Sequence, residues 1–318
     1  MSKVIITDHG FPSIEVEKSV VESAGFQLES INPICKTEDD VIERCKGAKT
    51  LIVQWAPVTR RVLEALPEVK CIVRYGVGVN NFDLDAAKDL GVTAANVPDF
   101  CVDEVSDHTM AMILSLCRRM PQDHNQIVKG KWGINHLRPL QASCDLTIGL
   151  VSFGNIARLV AQKAQCFRFN VIAFDPLLPD EMFNEFGVKR VDLDTLLAES
   201  DIVSLHCPLI PATTHLINRE TIAKMKQHAI LINTSRGPVV KEDDLIEALQ
   251  SGKLRGAGLD VFEVEPLPAG SPLRELDNVI LTSHVASTSE RAVKQLQRKA
   301  AEAARDFMLG KRPVSALV

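Results

Sequence analysis

Residues Thr147–Val160 read TIGLVSFGNIARLV, and this stretch decides the fold. Its first residues form an apolar run that is typical of a buried strand, and the part from Asn155 onward has the pattern of a helix. Only the short segment Ser152–Gly154 separates the two. A strand that passes into a helix through so short a turn indicates a parallel α/β sheet.

The turn matches most of the pattern G-x-G-x-x-G/A, which binds a dinucleotide between a strand and the following helix. Gly154 is the central glycine and Ala157 is the permitted last residue, whereas Ser152 stands at the first position. Backbone N–H groups near Gly154, Asn155 and Ile156, at the start of the helix, would face the pyrophosphate. The sequence therefore predicts a cofactor turn with one position changed.

An acidic residue is expected about 20 positions beyond the glycines, where it accepts hydrogen bonds from the adenosine ribose. Asp175 ends the next predicted strand, NVIAFDP, 21 residues beyond Gly154 (175 − 154). Its carboxylate would repel a 2′-phosphate, and Pro176 and Leu177 follow it rather than an arginine, so NAD is predicted over NADP. The alternative is an ordinary βα turn in which Asp175 only caps the strand end.

The rest of the chain repeats the alternation of strands and helices in two series. Such alternation predicts two doubly wound parallel sheets with helices on both faces, an α/β fold. The predicted strands are 4–7, 50–54, 71–75 and 92–97 in the first series, and 146–151, 170–174, 201–205, 229–233, 256–260 and 278–282 in the second.

A last helical stretch runs to about Gly310 and opens with what looks like a capping box, Ser287-x-x-Glu290. A lone terminal helix must dock on a domain, and we expect it to return to the first series. The predicted organisation is a discontinuous domain of residues 1–98 and 287–318, with residues 99–286 inserted as a second domain. A chain of 318 residues is long enough for two such cores.

The helical stretch Asp103–Met120 has a wide apolar face. One helix packed on one domain rarely needs so broad a face, so this helix is predicted to bridge two domains or to lie in a dimer interface. Pro121 marks its end or a kink. The apolar positions are Val105, Met110, Met112, Ile113, Leu114, Leu116 and Cys117.

Composition and charge argue against several classes of protein. The chain is 46% apolar and 24% charged with a net charge of −5, and no Lys/Arg-rich run indicates nucleic acid or an anionic membrane surface. No apolar stretch reaches the ~20 residues of a membrane helix, and no signal peptide is recognised. None of the eight cysteines has metal-ligand spacing, so reduced thiols, no metal and a cytoplasmic location are expected.

Polar side chains follow three predicted strands of the second series. Arg236 follows AILIN, Glu265 follows GLDV, and His284 follows VILTS. The carboxyl ends of parallel strands line the ligand crevice, where an arginine grips a planar carboxylate at two points. A histidine beside a glutamate is an acid–base pair for neutral pH. Taken singly, Arg236 could cap a surface turn and His284 could be structural.

With these residues the chain resembles the D-isomer-specific 2-hydroxyacid dehydrogenases. The spacings fit, with 29 residues from Arg236 to Glu265 (265 − 236) and 19 from Glu265 to His284 (284 − 265). The segments NVPDFCVDEVSDHT and VRYGVGVNN are similar to those of one branch of the family, which includes C-terminal-binding protein and phosphoglycerate dehydrogenase-like proteins. Matching segments are NTSRG (233–237), LDVFEVEP (259–266), TSH (282–284), RYGVGVNNFDL (74–84), VSDHTMAMIL (105–114), GKW (130–132), SLHCPL (204–209) and TTHLI (213–217).

The resemblance implies an NAD-dependent 2-ketoacid reductase or its reverse, similar to hydroxypyruvate and glyoxylate reductases. It also implies a Rossmann-type NAD domain inserted into a flavodoxin-like substrate domain. It implies that Arg236 holds the substrate, that His284 donates the proton in reduction and that Glu265 keeps His284 protonated. The N–H groups of Val77 and Gly78 would bind the substrate carboxylate. The further cofactor contacts that it implies are Thr109, Pro208, Thr213, Thr234 and Asp260.

The chain departs from the family pattern at Ser152, at Asn80, where Asp is frequent, and at Ser283, where Pro usually precedes the histidine. An NAD-sensing binding protein of the same fold is therefore the alternative function. In such regulators an altered glycine turn coexists with an intact triad of arginine, glutamate and histidine, here Arg236, Glu265 and His284. A formate dehydrogenase is disfavoured, since the family's formate enzymes carry an amide in place of Glu265.

The specificity of the substrate site is expected to depend on Gln54, Trp55 and Tyr75. The predicted partners are a small 2-keto or 2-hydroxy acid and a second copy of the chain in a homodimer.

Overall fold

The computed structural model describes residues 3–318. It divides into two compact units, one formed by residues up to Phe100 together with Thr288–Val318, the other by Cys101–Ser287. The sequence analysis places these boundaries at 98 and 286. Each unit has its own sheet, and all strand pairs in both sheets are parallel.

Strands and helices are labelled along the chain. The strands are β1 (Lys3–Ile6), β2 (Gln27–Ser30), β3 (Ala48–Val53), β4 (Cys71–Arg74), β5 (Thr93–Ala95), β6 (Thr147–Val151), β7 (Asn170–Phe174), β8 (Lys189–Arg190), β9 (Ile202–Leu205), β10 (Ala229–Asn233), β11 (Leu254–Leu259) and β12 (Val279–Leu281). The helices are α1 (Glu15–Val21), α2 (Glu38–Arg44), α3 (Arg60–Ala65), α4 (Leu84–Asp89), α5 (Val102–Cys117), α6 (Met120–Val128), α7 (Asn155–Cys166), α8 (Asp180–Glu185), α9 (Leu193–Glu199), α10 (Arg219–Lys224), α11 (Glu242–Gln250) and α12 (Glu290–Met308).

The first unit is a five-stranded sheet in the order β2-β1-β3-β4-β5. This is the doubly wound order of flavodoxin-like folds. Its central strands are completely buried at Ile5, Leu51 and Ile72, as expected for a parallel sheet covered on both faces. The predicted flavodoxin-like fold is therefore confirmed.

The terminal helix α12 packs on α1, β3 and β4 of the first unit. The buried amide of Gln297 donates to the carbonyl of Ser13 at 2.7 Å and to the carboxylate of Glu17 at 3.0 Å. The predicted capping box was wrong: Ser289, not Ser287, is the N-cap, and its hydroxyl accepts from the N–H of Ala292 at 2.9 Å. The helix begins two residues later than the box would have it, and its third position is an alanine, which cannot complete a box.

The second unit is a seven-stranded sheet in the order β12-β11-β10-β9-β6-β7-β8. Counted within the unit, this is the Rossmann order 3-2-1-4-5-6 with one further strand. The strand order reverses between β6 and β9, and ligands of such sheets bind outside the carboxyl ends of the strands at that point. The predicted Rossmann-type fold is confirmed, and the topology places the cofactor turn after β6 at the switch point.

The stretch Asp103–Met120 is not one helix. The helix α5 ends at Cys117, and α6 starts at Met120 after Arg119, whose φ is 51°. The wide apolar face of α5 is buried within the second unit, against α7 on one side and β10, β11 and β12 on the other. Packing on two elements of its own unit explains the width of this face, so the width no longer indicates an interface.

Two strands were missed by the sequence analysis. β2 has the sequence QLES and β8 has the sequence KR, and both lie at a sheet edge. Edge strands are partly exposed and need no apolar run, so the hydrophobic pattern that reveals central strands is absent there.

All eight cysteines, which lie within residues 3–318, are free thiols, and six of them are buried, as expected for small apolar side chains. The helices in the described part of the chain are too short or too polar to span a membrane. Residues 3–318 contain no cluster of His, Cys, Asp and Glu side chains able to hold a metal ion.

Candidate active site

The site is built at the carboxyl ends of three adjacent strands of the second unit. Arg236 follows β10, Glu265 lies in the loop after β11, and His284 follows β12. Because these strands are parallel neighbours, their ends meet at one edge of the sheet. The structure thus brings together the three residues that the sequence singled out.

His284 and Glu265 form a direct pair. The Nδ1 atom of His284 lies 2.8 Å from Oε2 of Glu265, and the two side chains are 48% and 37% exposed. The other carboxylate oxygen, Oε1, accepts the N–H of Phe262 at 3.0 Å. With Nδ1 held by the carboxylate, Nε2 is the nitrogen that can exchange a proton with a bound molecule.

The surroundings of Glu265 stabilise the ionised form of its carboxyl group. Burial raises the pKa of this carboxyl, but the hydrogen bonds from His284 and the Phe262 N–H, with the nearby positive charge of Arg236, outweigh burial and lower the pKa below its ordinary value. Glu265 therefore presents a negative charge to the ring of His284 at neutral pH.

The backbone at His284 is in the left-handed region, with φ at 56°. Its N–H donates to the carbonyl of Asp260 at 2.8 Å. The buried carboxylate of Asp260 accepts the N–H groups of Val285 and Ala286, both at 2.9 Å, and the hydroxyl of Thr282. Asp260 thus holds the turn that carries His284, a positioning role that the sequence did not predict. Its predicted contact with the nicotinamide stays a prediction.

Arg236 is held by a buried asparagine that the sequence analysis missed. The side chain of Asn233 accepts the N–H of Ser235 at 3.0 Å and donates to the carbonyl of Arg236 at 2.9 Å. The next residue must be glycine, because a Cβ at Gly237 would lie 1.8 Å from the carbonyl oxygen of Phe262. This close approach joins the loops that carry Arg236 and Glu265.

The electrostatic environment of Arg236 links it to the same site. Burial lowers the pKa of its guanidinium, and the negative charge of Glu265 acts in the opposite direction. An arginine stays protonated in proteins, so the site presents a partly buried cation that suits a carboxylate or a polarised carbonyl.

The turn after β6 fits the pyrophosphate of a dinucleotide. Gly154 is the N-cap of α7, has an ordinary φ of −72°, and has no side chain to cap the first N–H groups of the helix. A Cβ built on it would meet none of the described atoms within 4 Å. The fold itself therefore does not require glycine here, and the open space with uncapped N–H groups is suited to an approaching phosphate.

Ser152 replaces a glycine for which the backbone has a clear use, since its φ is 74°. Its hydroxyl donates to Oδ2 of Asp175 at 3.0 Å. The same carboxylate accepts the N–H groups of Phe153 at 3.0 Å and Leu177 at 2.9 Å, and Asp175 is only 8% exposed. Ser152 thus helps to fix the acid that is predicted to bind the ribose.

The remaining predicted cofactor residues of the second unit form two pairs that are in contact. Thr109 of α5 and Thr234 after β10 lie with their hydroxyls 3.0 Å apart. Thr213 donates through its hydroxyl to the carbonyl of Pro208 at 2.6 Å, which closes the loop after β9. The contacts of these four residues with a cofactor stay predictions.

Val77 and Gly78 lie in the first unit, in the loop after β4. Asn96 donates to the carbonyl of Val77 at 2.7 Å, and the carbonyl of Gly76 accepts the N–H of Val97 at 3.0 Å. Gly76 has a φ of 150°, a conformation that side chains rarely adopt. The loop is thus held in shape, and its role in substrate binding stays a prediction.

One expectation for the first unit was wrong. Tyr75 is only 2% exposed, and its hydroxyl donates to Glu17 at 2.7 Å, so it stabilises the core and does not line a surface pocket. Gln54 accepts the N–H of Gly10 at 2.8 Å, whereas Trp55 is 57% exposed. Of the three residues expected to set specificity, Trp55 presents the most surface.

The structure shows a second histidine–glutamate pair that the sequence analysis did not consider. His215 Nε2 lies 2.5 Å from Oε1 of Glu263, whose Oε2 accepts the N–H of Glu242 at 3.1 Å. The charge of Arg236 contributes to the lowered pKa of Glu265, the partner of His284. Another histidine, His206, is neutral near pH 7, because burial lowers its pKa to about 4. The pair of His284 and Glu265 combines acid–base groups with the nearby charge of Arg236.

Comparison with known proteins gives consistent results. Residues 110–286 match the family described as D-isomer specific 2-hydroxyacid dehydrogenase, NAD binding domain. The chain is 40% identical over 258 residues to a hydroxypyruvate reductase of Thermotoga maritima, which covers 80% of this chain and 83% of that protein. It is 36% identical over 312 residues, 98% of this chain, to a D-3-phosphoglycerate dehydrogenase of Methanocaldococcus jannaschii, of whose length it spans 58%.

Among solved structures, a D-lactate dehydrogenase from Aquifex aeolicus, complexed with NAD and lactic acid, is similar with a TM-score of 0.85. The sequence identity is 28%, and the match covers 97% of this chain and 96% of that one. The likeness therefore extends over both units.

Proposed function

This chain belongs to the D-isomer-specific 2-hydroxyacid dehydrogenase family, and from that membership we propose that it reduces a small 2-keto acid to a D-2-hydroxy acid, or catalyses the reverse reaction, with NAD as cofactor. The observation that carries the proposal is the pair of His284 and Glu265, 2.8 Å apart, beside the partly buried Arg236. Bound NADH supplies the hydride for C2 of the keto acid.

Each residue of the triad has one task in this proposal. Arg236 holds the substrate carboxylate and its carbonyl oxygen, because a guanidinium fork can bind both. As C2 gains the hydride, the C=O electron pair moves to oxygen, and Nε2 of His284 gives its proton to that oxygen. Glu265 stabilises the imidazolium before transfer and helps it to regain a proton afterwards.

The cofactor site in this proposal is the turn between β6 and α7. The N–H groups of Gly154, Asn155 and Ile156 bind the pyrophosphate, and Asp175 accepts hydrogen bonds from the ribose. The uncapped start of α7 and the fixed carboxylate of Asp175 support this assignment. The N–H groups of Val77 and Gly78 are proposed to bind the substrate carboxylate.

A panel of keto acids, followed by the loss of NADH absorbance, tests the proposed activity. Glyoxylate, hydroxypyruvate, pyruvate, phenylpyruvate and longer chains are compared, and we expect at least one to be reduced with a kcat of about 1 s⁻¹ or more. If NADH binds tightly but every keto acid is reduced no faster than by a His284→Ala control, the protein is an NAD(H)-sensing regulator and the proposed activity is wrong.

The same assay with NADPH tests the predicted cofactor. We expect NADH to be preferred, because the carboxylate of Asp175 repels a 2′-phosphate. Arg190, a cation that contacts the backbone of Asp175, pairs with Asp180 at 2.7 Å and donates to the carbonyl of Asp175 at 3.1 Å, so it is already engaged. Equal use of both cofactors would show that Asp175 does not reach the ribose.

We also propose that the protein is a homodimer. The reason is no longer the wide apolar face of α5 but a neighbouring segment with exposed apolar side chains. Large apolar side chains are exposed between Met120 and Ile134, with Val128 at 71% and Trp132 at 94%. So many exposed apolar groups in one segment are typical of an interaction surface. Light scattering should give a mass of two 34.9 kDa chains, and a mass of one chain at micromolar concentration would refute the dimer.

A further inference from the structure

A cavity of about 200 Å³ lies at the amino ends of β10, β11 and β12, whereas the candidate active site lies at their carboxyl ends. It is lined by the first residues of β10 and β11 and by Asn278, just before β12. The end of α5 and the start of α6 complete it, through Leu116, Arg119 and Gln122. A strand of five residues is about 16 Å long, so this cavity is separate from His284 and Glu265.

Buried polar atoms that lack a hydrogen-bond partner converge on this cavity, on three side chains that are themselves partly exposed. In residues 3–318 four buried side-chain polar atoms have no hydrogen-bond partner, and three of them are Arg119 Nε, Gln122 Oε1 and Arg255 Nε. Another nitrogen of Arg119, Nη1, donates to the carbonyl of His136 at 3.3 Å. All three residues line the cavity. Buried polar atoms are nearly always paired, so their concentration at one place points to a ligand.

The charge of the lining defines the class of ligand. Arg119 and Arg255 both contribute guanidinium groups, and none of the described lining residues is acidic. Burial lowers the pKa of Arg119, and the positive charge of Arg255 lowers it further. An anion placed between the two guanidinium groups would offset their mutual repulsion in this partly buried cavity.

We propose that this cavity binds a small oxyanion that also carries a hydroxyl group, with hydrogen phosphate as the simplest member of the class. The anionic oxygens accept from Nε of Arg119 and of Arg255. The hydroxyl donates to Oε1 of Gln122. A volume of about 200 Å³ is several times the ~30 Å³ of one water and accommodates such an ion.

Thermal unfolding in phosphate, sulfate and chloride of equal ionic strength tests the proposal. Saturating NADH is present throughout, so that the cofactor turn and its N–H groups are occupied. We expect phosphate to raise Tm saturably, by about 3–6 °C at ten times its dissociation constant. Sulfate, which has no hydroxyl at neutral pH, should have a smaller effect, and chloride should have almost none.

Three variants locate the effect. Arg255→Gln should abolish the rise in Tm, and Gln122→Met should remove the preference for phosphate over sulfate. Arg118→Gln is the matched control, because it changes the charge equally next to Arg119 but lies outside the cavity lining, and it should keep the full response. Line broadening of the phosphate ³¹P signal, measured on the unmodified protein with NADH, gives a second readout that needs no variant.

Several results would overturn the proposal. A Tm that is equal in all three salts would show that water or a carboxylate of a second copy compensates the arginines. A phosphate effect that disappears with saturating NADH would assign it to the cofactor turn. An unchanged response in Arg255→Gln would exclude this cavity, and equal effects of phosphate and sulfate would exclude the hydroxyl contact with Gln122.

Discussion

His284→Ala should lower kcat for keto acid reduction by about 10²–10⁴-fold, the usual contribution of a general acid. Its Nε2 is the proposed proton donor, and the substitution removes both ring nitrogens. NADH should bind as before, because the predicted cofactor turn lies after β6 and His284 follows β12. Stopped-flow reduction and NADH fluorescence titration measure the two effects separately.

His215→Ala is a matched control for this prediction. His215 has a similar backbone conformation, with φ at 51°, and it also pairs with a glutamate. It differs from His284 in its place in the fold, since it lies in the loop after β9, whereas His284 follows β12. We expect His215→Ala to keep kcat within about tenfold, or ~1.4 kcal/mol in activation free energy. Equal losses in both variants would mean that structural damage, not proton transfer, explains the result.

Glu265→Gln tests the second half of the pair. The carboxyl of Glu265 has a lowered pKa and is ionised at neutral pH, so it favours the protonated form of the imidazole that reduction requires. An amide gives less stabilisation, and the imidazole then loses its proton at lower pH. The high-pH limb of the pH–rate profile should therefore move to lower pH, and an unchanged limb would contradict the role of Glu265.

Gly154→Val should abolish NADH binding without unfolding the protein. The φ of Gly154 is open to any residue, and its Cβ would meet none of the described atoms, so the chain itself tolerates a side chain there. A bound pyrophosphate would not, because it must approach the N–H groups of α7 closely. NADH fluorescence titration measures binding, and circular dichroism checks the fold.

Gly270→Val is the control for the glycine substitution. Gly270 lies in the same unit, and a Cβ there would also meet none of the described atoms within 4 Å. It is outside the proposed cofactor turn, so NADH should bind this variant normally. If Gly154→Val binds NADH as well as Gly270→Val does, the segment after β6 is an ordinary βα turn.

Ser152→Gly should change NADH affinity by less than about tenfold, because the N–H groups proposed to bind the pyrophosphate belong to Gly154, Asn155 and Ile156. Glycine removes the strain of a left-handed backbone, about 1–3 kcal/mol, but this strain is shared by the free and bound protein and so affects folding stability and not affinity. It also removes the hydroxyl that holds Asp175, and a hydrogen bond to a charged group contributes about 1.5–3 kcal/mol. Loss of binding in Ser152→Gly alone would show that the serine is itself a cofactor ligand.

The sequence by itself determined the two parallel sheets and the residues that meet at their edges. Alternating strands and helices follow from short-range periodicity, which each segment carries independently of the rest of the fold. The polar residues after the strands, among them Arg236 and His284, could be located because a parallel sheet brings the carboxyl ends of its strands together. The edge strands β2 and β8 escaped because exposed strands need no apolar pattern.

Only the tertiary structure decided which side chains contact each other. The sequence contains two histidine–glutamate pairs, and strand order with loop geometry brings Arg236 to the pair of His284 and Glu265. It also buried Tyr75, which was expected to be one of the residues that set substrate specificity. The wide apolar face of α5 similarly found its partners within its own unit. These contacts join residues far apart in the chain, so local periodicity holds no information on them, whereas packing and hydrogen bonding in the folded protein determine them.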